Sequence, residues 1–339
     1  MGTILQATQP DYIRRCPPQV PSIAALVEVI TYRFKIEPEV MAAALNEIIF
    51  SVVLSAVLVF NIAGNSLVIY IIRNERGMKT STNYLLLNLA VADLLFGVFF
   101  APEYIVLPLL GRPSLPDGVL GDWLCKLIGF GNIGWMASRT SIFTMICLSV
   151  ERYFAVCRPH TFRQRFSPKI VKVLIMVSWI YAVVMVSPLV VDIHFSRGYF
   201  PCVFNNSIFK VYLLYSLVEI TCFLSLMIFF TVKIFISLWC KQTVEPTGER
   251  DITERRKKKK VTLCVLAVVV TFVVCWSPAA IYFVVALGSS SAIQLELITA
   301  SILTASINAA LDPYLFSFQS SRFKVLVKKV LCCRKESSG

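Results

Sequence analysis

Charge is scarce in this chain. Of 339 residues only 16% are Asp, Glu, Lys or Arg, well below the roughly 25% of an ordinary soluble domain, whereas 57% are hydrophobic and the mean hydropathy is +0.72. That balance excludes a water-soluble protein. Histidine is scarcer still: the chain has two, His160 and His194, and the topology derived below puts them on opposite sides of a membrane, which argues against a histidine-based catalytic or metal site. Internal repeats are absent, as are Gly/Pro-broken hydrophobic segments in corresponding halves, so the pattern of a secondary transporter is missing. A signal peptide is not evident, because the first apolar run, Ile23 to Ile30, carries Glu28 and follows a Pro-rich stretch. The first span is then expected to serve as the anchor.

Long apolar stretches are what the sequence does have. Crossing about 30 Å of hydrocarbon takes about 20 helical residues, and seven stretches suffice: Ile48 to Ile72, Asn83 to Leu107, Leu124 to Val156, Ile170 to Val191, Ile208 to Trp239, Val261 to Leu287 and Leu297 to Phe318. Backbone amides in lipid must be satisfied within their own segment, so helices are expected. The fold expected is an all-α membrane bundle: a tail at 1–47, a seven-span domain at 48–318, and an amphipathic helix with a short tail at 319–339. Apolar residues Ile23, Leu26, Val27, Ile30 and Phe34 have helical spacing, which allows a short docking helix, but a loosely ordered tail is the expectation, as for most termini.

The net charge of +13 would suit nucleic acid, but its distribution argues otherwise. The segments following spans one, three, five and seven hold 22 of the 33 Lys and Arg residues, and the opposite side only seven. By the positive-inside rule the C-terminus is cytoplasmic and, with an odd number of spans, the N-terminus extracellular. Attraction to anionic inner-leaflet lipid reinforces that arrangement. Of eleven cysteines, only Cys16, Cys125 and Cys202 fall outside, where disulfides persist. Cys125 heads span three and Cys202 lies in the loop before span five, so these two are expected to pair. Asn205 begins an Asn-Asn-Ser glycosylation sequon on that loop. Cys332 and Cys333, beside Lys328, Lys329, Arg334 and Lys335, suit palmitoylation or are ordinary free thiols.

Motifs now fall in order along the spans: "GNSLV" (Gly64, Asn65), "LNLAVADLL" (Asn88, Asp93), Glu151-Arg152-Tyr153, Trp179, "FVVCWSP" (Phe272, Cys275, Trp276, Pro278) and "DPYLF" (Asp312, Pro313), followed by "FQSSRFKVLVKKVLCC" with Phe323. Each is weak alone; in this order, each on its own span, they resemble the rhodopsin-like (class A) G-protein-coupled receptors over about Ile48 to Cys333. The segment from Gly131 to Val156 is most similar to neuropeptide-type receptors of invertebrates. The resemblance implies a plasma-membrane receptor that binds an extracellular ligand and activates a heterotrimeric G protein, needs no cofactor, performs no covalent chemistry and is a partner for arrestin. Arrestin recruitment through a phosphorylated tail is expected to be weak, since only Ser337 and Ser338 follow Cys333.

It also implies roles. Arg152 is held by Glu151 at rest and meets the G protein once span six moves outward; a charge in a span is usually retained where it pairs or faces water. No acid stands among Lys257 to Lys260 at the head of span six, so the lock is expected to be weak. Asp93 is joined by Asn65, Ser141, Asn308 and Asp312, whose oxygens suit an allosteric sodium ion; two close carboxylates otherwise share a proton, and both readings stand open. Pro278 kinks span six beneath the ligand pocket, and Trp276, two residues earlier, packs at the pocket floor. Departures from the family pattern also stand out: span five has no proline and has Thr231 in place of a tyrosine, while span seven has Asp312 for asparagine and Phe316 for tyrosine. The interval from Cys125 to Arg152 is two residues longer than the family norm, which predicts a bulge or a shifted disulfide near the top of span three.

Ligand class is the last expectation. Gly134 stands where amine receptors carry an aspartate, and span seven has no lysine for a retinal Schiff base, which sets aside an amine receptor and an opsin. The outer half is acidic, with Glu103, Glu219 and Glu296 in the spans and Asp117, Asp122 and Asp192 around the rim, which would draw a cationic peptide; a lipid or other small molecule is the alternative. Trp135 and Trp276 are the aromatic candidates for ligand contact. Arg139 faces Glu219 in level, and the two are read either as ligand contacts or as an internal brace.

Overall fold

The computed structural model of the chain describes residues 23–75, 77–106, 116–127, 131–196, 202–203, 206–239, 249–288, 293–317, 323 and 325–327. Two compact units emerge, Met1–Val53 and Leu54–Gly339. Within the first, helix begins at Ile23, the start of α1 (Ile23–Asn74), so the stretch expected to be a loose tail is helical from that residue onward. The apolar periodicity noted at Ile23 to Phe34 was the better guide.

In the second unit the helices are α2 (Ser81–Ala101), α3 (Val119–Leu127), α4 (Asn132–Cys157), α5 (Pro159–Arg165), α6 (Pro168–Asp192), α7 (Asn206–Trp239), α8 (Glu249–Gly288) and α9 (Ile293–Ser317). A π-turn, Pro102–Val106, prolongs α2. Among the described residues, six helical stretches are long and apolar enough to cross a membrane: Leu45–Asn74, Ser81–Ala101, Val119–Cys157, Pro168–Asp192, Ile208–Ser237 and Leu266–Gly288. Helix α9, of 25 residues, stands where the seventh was expected and packs on α8 and α2.

The packing is inside out relative to a soluble domain. Large apolar side chains such as Met176, Ile180, Val184, Val211, Val218, Val270 and Val274 are exposed, whereas Asn65, Asn88, Asp93, Ser141, Asn308 and Asp312 are buried. An apolar exterior of that extent would drive aggregation in water but suits acyl chains. Local signals set the helix ends. Pro168 opens α6 behind Ser167, whose side chain accepts from the Ile170 amide, the arrangement expected of an N-cap with proline at the first helical position.

Span three departs from helical backbone at Gly131. Helix α3 ends at Leu127 and α4 begins at Asn132, with Gly131 at φ 70° between them, a left-handed conformation that glycine adopts without steric cost. Asn132 then donates to the Lys126 carbonyl at 2.8 Å. The disulfide is not displaced: Cys125 is bonded to Cys202. Around it lie Ile193 and Phe195, and a short antiparallel pair, β1 (His194–Phe195) with β2 (Cys202–Val203), sits over the head of α3.

Candidate functional site

The inner end of α4 carries the one ionic pair expected at a span mouth. Glu151 is 1% exposed. Its Oε1 accepts from Thr82 Oγ1 at 2.6 Å, and its Oε2 lies 3.1 Å from Arg152 Nε. The second contact lacks hydrogen-bond alignment, as Oε2 has no aligned donor. The acid is therefore anchored to α2 by a hydroxyl, while the arginine, whose side chain is 19% exposed, is the partner free to leave. Tyr153 continues the site toward α7, 5.5 Å from the Phe230 ring, and Ile234 of α7 is seated among Tyr153, Val156 and Cys157.

Midway along the bundle lies a buried polar cluster. Ser141 Oγ donates to Asp93 Oδ1 at 2.7 Å, Asn61 donates to the Asp93 carbonyl at 3.0 Å, and Asn65 donates to the Ala309 carbonyl of α9 at 3.1 Å. Asn308 approaches Asp312 Oδ2 at 3.5 Å, and the carboxyl groups of Asp93 and Asp312 are close enough to interact electrostatically. Four oxygens here, Asn61 Oδ1, Asp93 Oδ2, Asn308 Oδ1 and Asp312 Oδ1, are buried without a donor. Such atoms are costly unless something positive reaches them, and hard oxygens of this kind suit a hard cation or a shared proton. Close by, Gly64 packs against Pro313: a Cβ on Gly64 would sit 3.1 Å from the proline ring.

In the outer half, Arg139 and Glu219 face each other. Arg139 Nε donates to Glu219 Oε2 at 3.1 Å, Nη1 to Tyr212 Oη at 3.0 Å and Nη2 to Ser216 Oγ at 2.9 Å. Tyr181 of α6 donates to Glu219 Oε1. The pair is buried, with side chains 6% and 8% exposed, and its contacts are internal ones between α4, α6 and α7. Trp276 is buried, stacked 5.7 Å from Phe272, and its indole N–H has no acceptor. Trp135 is half-buried with its edge against Phe100, 5.2 Å away.

The comparisons with known proteins agree with this arrangement. The profile described as 7 transmembrane receptor (rhodopsin family) matches residues 64–316. The chain belongs to that family of receptors. It is similar to the Bombyx mori allatostatin-A receptor, 29% identical over 294 residues, 81% of this chain and 77% of that one. It is 32% identical over 289 residues to the Bos taurus somatostatin receptor type 5, covering 81% and 73%. The Drosophila melanogaster tachykinin-like peptides receptor 86C is 23% identical over 307 residues, covering 84% and 59%.

The receptor brings some expected residues together and parts others. Asp93, Ser141, Asn308 and Asp312 form one cluster, with Asn65 at its edge; Asn61 was missed, although an asparagine one turn before Asn65 was a usable signal. Thr82 was missed too, having no motif of its own. Gly134 has a physical reason to be glycine: a Cβ there would meet Phe100 carbons at 2.3 and 2.4 Å, so the ring of Phe100 takes the volume in which an aspartate would stand. On the rim, Asp122 is already engaged, accepting from the Phe195 amide at 2.8 Å and pairing with Lys126 at 3.4 Å. Glu296 is exposed at the start of α9. The side chain of Glu103 and residues Asn205, Cys332 and Cys333 lie outside the described residues.

Proposed function

We propose that this receptor binds an extracellular peptide and activates a heterotrimeric G protein through Arg152. The observation that carries the reading is the asymmetric Glu151–Arg152 pair, in which the acid is tied to Thr82 and the arginine is held by one poorly aligned contact. A pair of that kind is bistable: Arg152 can swing toward a partner in the cytoplasm while Glu151 stays in place. Trp276 and Pro278 form the flexing level of α8, Tyr153 and the Asp312-Pro313 turn belong to the same activation path, and Asp93, Ser141, Asn308 and Asp312 hold a sodium ion in the resting state. Sodium would supply charge compensation only; the chain's own residues do the switching.

In this reading the N-terminus is extracellular and the receptor is a multi-pass protein of the plasma membrane. Residues 1–47 precede the seven-span domain at 48–318, and 319–339 form a cytoplasmic amphipathic helix and tail. Buried Phe323 and Leu326 beside exposed Val325 support a two-faced helix there. Cys332 and Cys333 carry palmitate against membrane lipid, Asn205 carries glycan, and arrestin is a secondary partner. Peptide is favoured as the ligand because the named relatives include receptors for somatostatin and tachykinin-like peptides, and because Glu296 is exposed at the outer end of α9. Glu103, Trp135, Trp276 and Glu296 are the residues proposed to meet it. The test is second-messenger output in cells expressing the chain and challenged with a panel of basic and amidated peptides. A response weakened about tenfold in potency by Glu296→Gln or Glu103→Gln supports the reading. Silence to peptides with a response to lipids that ignores both substitutions would move the ligand to an apolar small molecule.

A further inference from the structure

We propose that Arg139 and Glu219 are positioning residues that clamp α7 against α4, so that opening this clamp is what lets the inner end of α7 part from α4. The proposal stands on the geometry of the seam and takes from the receptor reading only its consequence for signalling. No proline interrupts α7 from Asn206 to Trp239, whereas α6, α8 and α9 each contain one within the helix. A helix without a kink transmits a tilt along its whole length. From Glu219 to Ile234 the rise is about 22 Å at about 1.5 Å per residue, so the brace and the cytoplasmic contact sit at two ends of one lever.

The two ends are built differently. At the inner end the α4–α7 contact is mainly apolar, with one weak thiol contact to the Lys233 carbonyl: Ile234 lies among Tyr153, Val156 and Cys157, and Tyr153 lies against Phe230. Near it the buried Thr231 hydroxyl has no hydrogen-bond partner. Among the described residues, the charged lock of this seam lies at the outer end. Arg139 spends three donors on α7 residues Glu219, Tyr212 and Ser216, its guanidinium lies 5.2 Å from the Tyr212 ring centre, and Tyr181 fastens Glu219 to α6. Tyr215 also donates from α7 to the Met185 carbonyl of α6. A charge pair removed from water to this degree contributes little net stability but fixes geometry strongly, since either partner alone would be a buried, uncompensated charge.

The clamp is testable without a ligand. Apart from the two charges, the partners are hydroxyl groups, which can donate or accept, so Arg139→Glu with Glu219→Arg should rebuild the lock in reverse. Cys157 is a native reporter: it is half-buried, with its sulfur 3.8 Å from the Lys233 carbonyl of α7. Maleimide labelling of the purified full-length chain, resolved by residue with mass spectrometry, should be several-fold faster at Cys157 in Glu219→Gln and in the milder Tyr181→Phe. Cys147 and Cys275, both buried, should stay protected, which shows that the bundle is folded. The charge-reversed double variant should return Cys157 to within about twofold of the parent rate. Unchanged Cys157 labelling in both single variants, or a double variant no closer to the parent than Glu219→Arg alone, overturns the clamp. G-protein activation, read separately, bears on the receptor assignment: faster Cys157 labelling in a chain that activates no G protein would sink that assignment and leave the clamp standing.

Discussion

Removing the Thr82 hydroxyl should raise the unliganded activity of this receptor. Thr82→Val keeps the shape and deletes the 2.6 Å donor to Glu151 Oε1. Glu151 is 1% exposed, so no water replaces that donor, and a hydrogen bond to a charged group is worth about 1.5 to 3 kcal/mol. The loss falls on the resting state, where the carboxylate is buried against α2. Displacement of Glu151 becomes easier, and that releases Arg152. A shift of that size multiplies the active-to-resting ratio by about ten to a hundred, so an active fraction of about 1% would rise to about 10% or more. The assay is guanine-nucleotide exchange on a purified heterotrimer with receptor in lipid nanodiscs, at matched receptor amounts. Exchange that is unchanged or lower in Thr82→Val would refute the argument, because it would mean that Glu151 grips Arg152 as well or better without α2.

Two further outcomes follow from the same geometry. Replacing sodium by choline at constant ionic strength should lower the melting temperature of the parent chain, because a ligand that binds only the folded state stabilises it by about 2.7 kcal/mol at a hundred times its Kd; Asp93→Asn should abolish the difference, whereas a melting temperature blind to sodium would favour the shared proton. Gly134→Asp should destabilise the fold by about 1 to 3 kcal/mol, as overpacking does, since its Cβ would overlap Phe100; a smaller residue at position 100 in the same chain should recover part of the loss in thermal unfolding.

Much of this was written in the sequence because membrane burial reverses the usual signal. A polar residue in an apolar span is costly, so Asp93, Asn65, Ser141, Asn308 and Asp312 announced a shared interior before any contact was known, and Glu151 beside Arg152 announced a mouth. Cys125 and Cys202 were readable by the side of the membrane on which they fall. Other features were not, because they depend on partners distant in sequence. Thr82 lies 69 residues from Glu151 and has no pattern of its own, and Phe100 declares itself only through the space it denies to Gly134. The long interval before Arg152 allowed a bulge or a moved disulfide, and the Cys125–Cys202 bond removes the second. Arg139 and Glu219 matched in level, but their partners Tyr212, Ser216 and Tyr181 lie on turns of α7 and α6 that no motif marks.

The most direct test of the central claim is nucleotide exchange on a G-protein heterotrimer by the purified chain, with and without a peptide that elicits a cellular response, beside Arg152→Ala at equal amounts. The account predicts exchange above the receptor-free rate that the peptide increases and Arg152→Ala removes, with peptide binding retained. Peptide-stimulated exchange that survives Arg152→Ala at full strength would contradict it.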